Sequence, residues 1–182
     1  MKAALAQLIR TLNARGWSPA TSTNYSCIDE QQQCWVSRSG VNKADFTEQD
    51  LICIDEKGLA IGLFQGVKPS DETQIHLWIY RNFPDAKVVL HSHGKFPVLI
   101  TQFNEHVFAV QGYELQKGFK GCKSHLETLE IPIIENQQDM AVLCQALDER
   151  KAEIQYHCFI IAGHGTYAWG ENLFEAQRHL ET

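Results

Sequence analysis

The chain has 182 residues, a formal net charge of −6, and hydrophobic and charged shares of 44% and 21%. That is enough chain for one globular domain, 1–182, with the composition of an ordinary folded protein. The acidic balance excludes a general nucleic-acid binder, and no apolar run approaches the roughly 18 residues of a membrane span.

Leu5, Leu8, Ile9 and Leu12 recur at helical spacing and predict a first helix over Lys2–Arg15, ended by Gly16. Arg10 interrupts any continuous hydrophobic stretch, so the segment does not read as a signal peptide. The six cysteines form no C-x-x-C pair, which favours reduced thiols and a cytoplasmic protein. A polar turn-rich loop, Trp17 to Asn24, leads to a strand around Cys34–Val36 and a second loop over Ser39–Lys43. Thr47 caps a short turn with Asp50 as its partner. Leu51–Asp55 and Leu59–Leu63 flank Glu56-Lys57-Gly58 as a hairpin.

Pro69-Ser70-Asp71-Glu72 opens a helix that turns Ile75, Trp78 and Ile79 inward and stops near Pro84. Further strands are predicted at Lys87–His91, Val107–Val110, Ile131–Ile134 and Cys158–Ala162. Further helices are predicted at Pro97–Gln102, Tyr113–Phe119, Asp139–Arg150 and Asn172–Leu180. Strands and helices intermix without a strict βαβ rhythm, so the expected class is α/β, a mixed sheet covered by helices.

The chemistry concentrates in the histidines. In Val88-Val89-Leu90-His91-Ser92-His93, positions i and i+2 of a strand face the same way and present two imidazoles together. Alone, H-x-H is a weak motif, since such a pair is as readily solvated or hydrogen-bonded. A second β-branched run delivers His164 between Gly163 and Gly165, which allow close approach. Three neutral imidazoles with one open position match the protein ligands of a catalytic zinc site, although sequence does not show that the two strand ends meet. His76, His106, His125, His157 and His179 are read as structural or loop histidines.

Several segments together resemble the class II aldolase/adducin head family. They are Trp17-Ser18-Pro19-Ala20-Thr21-Ser22-Thr23-Asn24, Ser39-Gly40-Val41-Asn42-Lys43, Leu90-His91-Ser92-His93 and Gly112-Tyr113-Glu114-Leu115-Gln116-Lys117. Pro132 to Asp139, Gly163-His164-Gly165-Thr166-Tyr167-Ala168-Trp169-Gly170 and Glu175 to Glu181 continue the match. The first, fourth and Y-A-W-G segments are similar to the branch that dehydrates 5-methylthioribulose 1-phosphate in methionine salvage. The resemblance implies a three-layer α/β/α sandwich around a largely antiparallel sheet, and a homotetramer with sites near subunit boundaries.

It further implies one Zn2+ per subunit on His91, His93 and His164, and Glu114 as the catalytic acid. A phosphorylated ketose would place its phosphate among Asn24, Ser39, Gly40, Lys43 and Ser70. Glu72 falls where sugar-phosphate aldolases of this superfamily carry their acid–base carboxylate, so a fuculose- or ribulose-phosphate aldolase or epimerase is the rival reading. A non-enzymatic adducin-head-like module is a further one, disfavoured by the intact histidine set. Thr23 and Ala44 stand where the resembled pattern has glycine, and Ser92 and Gly94 fill variable places of its H-T-H-S run. Thr23 is expected to be strained if its turn needs a positive φ.

Overall fold

The computed structural model describes residues 1–182. Helix α1 (Lys2–Ala14) buries Leu5, Leu8, Ile9 and Leu12, the stripe that the spacing predicts. It ends where Gly16 adopts φ +77°, with Gly16 N–H donating to Asn13 O and Trp17 N–H to Leu12 O. These two bonds satisfy carbonyls that a helix end would otherwise strand, and glycine takes the left-handed backbone without steric cost.

The strands are β1 (Tyr25–Ile28), β2 (Cys34–Ser37), β3 (Leu51–Ile54), β4 (Val88–Ser92), β5 (Val107–Val110), β6 (Leu129–Ile134), β7 (Cys158–Ile161) and β8 (Gly165–Gly170). They form one sheet in the order β3-β2-β1-β4-β8-β7-β6-β5. Every neighbouring pair is antiparallel except β6–β7. The expected mixed, largely antiparallel sheet is therefore present.

Alternation along β4 distributes its side chains to two layers. Val89 joins Ile75, Trp78 and Ile79 of α2 (Thr73–Asn82) and Leu143 and Leu147 of α4 (Met140–Glu149) on one face. Val88 and Leu90 meet α1 and Ala176 of α5 (Leu173–Glu181) on the other. Helices on both faces complete the three-layer sandwich. A short helix, α3 (Lys95–Ile100), follows β4 beyond the sheet.

Two local expectations change. Leu51–Asp55 and Leu59–Leu63 form only a short hairpin: Asp55 N–H donates to Leu59 O and Ile61 N–H to Cys53 O around the Ile54–Ala60 bridge, after which Gly62–Phe64 turns into a short 3-10 helix. Ala60 packs inward on Val36, Ile52 and Ile54, but Leu59, Ile61 and Leu63 are exposed, Leu63 at 99%. Tyr113–Phe119 is a 3-10 turn over Glu114–Gly118 rather than an α-helix. It is pinned by the buried Gln116 side chain, which donates to Ser124 O and Glu127 O. Strands β1 and β8 occupy segments to which the sequence assigns no element: Ser26 within β1, and the glycines bounding β8, mask their strand character.

The sheet direction fixes the ends of the molecule. Ser92 pairs with Thr166 and Ile161 with Gly165, so β4 and β7 finish, and β8 starts, at one end. Parallel β6 finishes there too, and antiparallel β5 therefore finishes at the opposite end.

Candidate metal centre

Two strand ends and one helix start supply the centre. His91 is the penultimate residue of β4, His93 lies just past it, and His164 sits in the turn between β7 and β8. Glu72 immediately precedes α2. Their ligand atoms all lie within 4.8 Å of one another. His91 Nε2 is 2.7 Å from His93 Nε2 and 3.2 Å from Glu72 Oε2, and His164 Nε2 is 3.0 Å from Glu72 Oε1. The strand ends thus do meet, as the histidine pattern requires.

The two glycines around His164 serve different ends. Gly163 holds φ +63°, which turns the chain, and its N–H donates to Thr101 Oγ1 at 2.9 Å. A Cβ on Gly165 would lie 2.2 Å from Ser92 O and 3.0 Å from both the His91 and His93 rings. Only glycine lets β8 come this close to the β4 histidines.

Electrostatics favour a cation here. His91 Nδ1 donates to Thr166 O at 3.1 Å, which fixes the tautomer and leaves a lone pair on Nε2. Burial pushes the His91 pKa down to about 3, against the pull of Glu72, and burial together with His164 pushes His93 to about 4. Both rings are neutral near pH 7, the state that binds metal. Burial opposes ionisation of Glu72, but His91 and hydrogen bonds from His164, Tyr167 and Asn24 outweigh it and hold the carboxyl well below the usual range. A bare imidazole nitrogen therefore faces a carboxylate oxygen, two acceptors that need a cation between them. The residues present fit a divalent metal.

Tyr167 and His76 support Glu72 and were not singled out as site residues from the sequence. Tyr167 donates its hydroxyl to Glu72 Oε2 at 2.5 Å and stacks on His91, centroids 4.0 Å apart and planes at 13°. Asn24 Nδ2 donates to the same oxygen at 2.7 Å, and His76, fully buried, bonds Asn24 from behind. Tyr167 lies in the Y-A-W-G segment of the resemblance, but its spacing and that of His76 signal only core positions.

A cleft of about 160 Å³ adjoins the centre, lined by Thr21–Asn24, Arg38–Gly40, Lys43 and Ser70–Glu72. Asn24, Ser39, Gly40, Lys43, Ser70 and Glu72 are thereby brought together as expected. Lys43 is buried, which lowers its pKa against the opposite effect of Asp50, and its Nζ donates to Val41 O and Thr21 O at 3.0 and 3.3 Å. Thr23 has φ +77°, the strained backbone anticipated for it, and its hydroxyl lies within 3.1 Å of Ser18 Oγ and Tyr25 OH. A larger cleft of about 630 Å³ beside Arg150 holds no comparable cluster. Its guanidinium is occupied by Ile133 O, His106 O and Glu153.

Glu114 is not brought to the centre within one chain. It follows β5 at the opposite end of the sheet, 71% exposed, paired with Lys117 and 3.5 Å from His125. Nearby Lys120 reaches Asp85, which precedes β4, and Glu171, which follows β8, confirming that end.

The sequence profile described as class II aldolase and adducin N-terminal domain matches residues 3–182. The chain belongs to the class II aldolase family. Among its relatives, a methylthioribulose-1-phosphate dehydratase of Picosynechococcus sp. is 46% identical over 182 residues, 99% of this chain and 86% of the relative. One from Xanthomonas oryzae pv. oryzae is 39% identical over 175 residues, 95% of this chain and 77% of the relative. Solved class II aldolase structures share the fold. YgbL from Escherichia coli aligns at TM-score 0.81 and 19% identity, over 99% of this chain and 83% of its own. L-fuculose-1-phosphate aldolase from Thermus thermophilus aligns at 0.71 and 23%, over 98% and 86%.

Proposed function

We propose that this chain is a zinc-dependent methylthioribulose-1-phosphate dehydratase, a hydro-lyase of methionine salvage. It converts 5-methylthioribulose 1-phosphate to 2,3-diketo-5-methylthiopentyl 1-phosphate. The observation that carries this is the meeting of three imidazoles and a carboxylate beside a polar cleft that holds Asn24, Ser39, Gly40, Lys43 and Ser70. The choice of substrate is supported by the dehydratase relatives at 46% and 39% identity.

One Zn2+ per subunit would be held by His91, His93 and His164, and when bound it supplies Lewis-acid polarisation of the ketose oxygens, easing loss of the C3 proton. Asn24, Ser39, Gly40, Ser70 and Lys43 hold the phosphate with neutral donors and one buried cation. Thr166 and Tyr167 keep the His91 ring oriented.

Dehydration must also protonate the hydroxyl leaving C4, work of a positioned acid that is typically worth about 10²–10⁴-fold. Glu114 is that acid in this reading. Because it lies at the far end of its own sheet, it serves the centre of a neighbouring copy. Its exposure, between exposed Tyr113 and Leu115, supports presentation at a boundary between subunits of a homotetramer. The residues 1–182 act as one domain, joined by a continuous sheet. The proposed compartment is the cytoplasm, where a charged sugar phosphate is retained; no helix here is long and apolar enough to cross a membrane.

One second reading is favoured by a specific observation. Glu72 is the carboxylate within 3.2 Å of His91 and His164, where an aldolase or epimerase would use it as the acid–base group. Product analysis on metal-analysed protein with 5-methylthioribulose 1-phosphate separates the two. A product lighter by one water establishes dehydration; two smaller carbonyl fragments establish the aldolase instead.

A further inference from the structure

Four hydrogen bonds in series run from Glu72 into the interior, and their directions follow from chemistry alone. An ionised carboxylate only accepts, so the Asn24 atom 2.7 Å from Glu72 Oε2 must be Nδ2. The other amide atom, Oδ1, then faces His76 Nε2 at 2.5 Å. An amide oxygen also only accepts, so Nε2 carries the proton of the ring. Burial holds His76 neutral, with its pKa lowered to about 4 despite Glu72. His76 Nδ1 is therefore bare and accepts from the Ser26 hydroxyl at 2.7 Å, whose oxygen accepts from Tyr80 OH at 2.7 Å. His76 and Ser26 are fully buried, and the His76 ring edge abuts Tyr167.

We infer that His76 is a positioning residue for the anion cleft: backed by Ser26 and Tyr80, it fixes the Asn24 amide so that Nδ2 rather than Oδ1 faces Glu72 and the ligand. This rests on the proposed reading of the cleft as the phosphate site. A half-turn of the amide would set a carbonyl oxygen against both the Glu72 carboxylate and an incoming phosphate. His76 opposes that in its Nε2–H form, because the turned amide would present an NH2 group to it unless the ring changed tautomer and the Ser26 and Tyr80 hydroxyls both reversed.

The first test is the tautomer of His76, read by ¹⁵N-histidine NMR on the full-length, zinc-loaded protein. The Nε2–H form is expected; the Nδ1–H form overturns the inference. The second uses inorganic phosphate as the probe, titrated by calorimetry into wild type, His76→Leu, His76→Gln and Ser26→Ala. Loss of one oriented donor should weaken phosphate roughly tenfold in His76→Leu at unchanged zinc content. The side-chain amide of His76→Gln can donate to Asn24 Oδ1, and should recover most of that loss. Ser26→Ala is the gentler change should leucine prevent folding. It is expected to admit part of the Nδ1–H form and to weaken phosphate about threefold. Wild-type affinity and tautomer in Ser26→Ala would overturn the inference. Absence of phosphate binding by wild type would remove the cleft reading and the inference with it, whereas an Nδ1–H ring with normal phosphate binding removes the inference alone.

Discussion

The Tyr167 ring lies flat against His91, planes 13° apart, while its hydroxyl reaches past that ring to Glu72. One fully buried side chain therefore sets both the plane of an imidazole and the position of the carboxylate beside it. Tyr167→Phe keeps the stacked ring and deletes the bond to a charged acceptor. Such a bond contributes about 1.5–3 kcal/mol, and Asn24 still holds the same oxygen, so a loss of about 1–2 kcal/mol is expected in urea unfolding. Zinc content should stay near wild type. A variant as stable as wild type would mean that the hydroxyl contributes nothing to holding Glu72.

Gly165 and Gly163 flank the same histidine, yet their replacement by alanine should differ. A methyl at 165 meets the Ser92 carbonyl at 2.2 Å and the His91 and His93 imidazoles at 3.0 Å, with backbone rather than a flexible side chain in the way. Gly165→Ala should push β8 from β4 and sharply lower zinc bound per chain. A methyl at 163 meets nothing within 4 Å, so Gly163→Ala carries only the left-handed backbone cost of about 1–2 kcal/mol. Metal analysis of the two variants, beside their urea midpoints, checks this. Equal zinc loss in both would show that the close approach at Gly165 is not what forms the centre.

Much of this centre was legible because the signal was local. The runs before His91 and before His164 are apolar and β-branched, so each reads as a strand delivering a histidine at its end. Tyr167 and His76 gave no such signal, since an aromatic in a buried strand and a histidine in a helix are ordinary core residues. Strand order is the larger omission. Nothing local in Val107–Val110 says that β5 lies outermost and runs away from the centre, and that placement alone puts Glu114 at the far end. The hairpin at Leu51–Leu63 is shorter than expected for the converse reason: its second run is apolar, yet Leu59, Ile61 and Leu63 remain exposed.

Thr23 tests the strain at the cleft directly. Its φ of +77° disfavours any residue with a Cβ, and its hydroxyl sits within bonding distance of Ser18 and Tyr25. Thr23→Ala keeps the strain and loses the hydroxyl, so it should destabilise by about 1 kcal/mol. Thr23→Gly loses the same bonds but relieves the backbone, and should be more stable than the alanine variant by about 1 kcal/mol or more. Comparison of the two by urea unfolding isolates the backbone cost, and alanine matching glycine would mean that the turn is unstrained.

Acid should destabilise the metal-free protein before its carboxylates titrate. The buried His76 takes up its proton near pH 4, whereas the unfolded chain does so near the ordinary 6.5. Between these values the unfolded state binds more protons, so stability is complete above about pH 6.5 and is lost as pH falls toward 4. A shift of this size corresponds to about 3 kcal/mol. His91 and His93, lowered to about 3 and 4, act with the same sign. Urea unfolding from pH 7 to pH 4 should show this slope, and His76→Gln should reduce it by one proton. A flat profile in wild type would mean that these rings are not buried neutral.

The sharpest prediction concerns the distance between Glu114 and the histidines. His164→Ala should lose most bound zinc and turnover, and Glu114→Gln should keep zinc and lose most turnover. If Glu114 served its own chain, no mixture of the two variants could be active, since each subunit would lack one necessary group. The sheet places Glu114 and His91 at opposite ends of one chain, so under the proposed reading the complete site draws on two copies. Refolding the variants together then creates boundaries where the histidines of one chain meet the Glu114 of the other. In a randomly mixed ring of the proposed homotetramer about a quarter of the boundaries have that arrangement, so about a quarter of wild-type activity should return. Glu72→Gln in place of Glu114→Gln supplies the control, because Glu72 lies in the same chain as its histidines and cannot be restored by His164→Ala. Recovery in the first mixture alone fixes Glu114 as a residue acting across the boundary. No recovery in a properly assembled mixture would remove it from that role and leave Glu72 as the acid–base group.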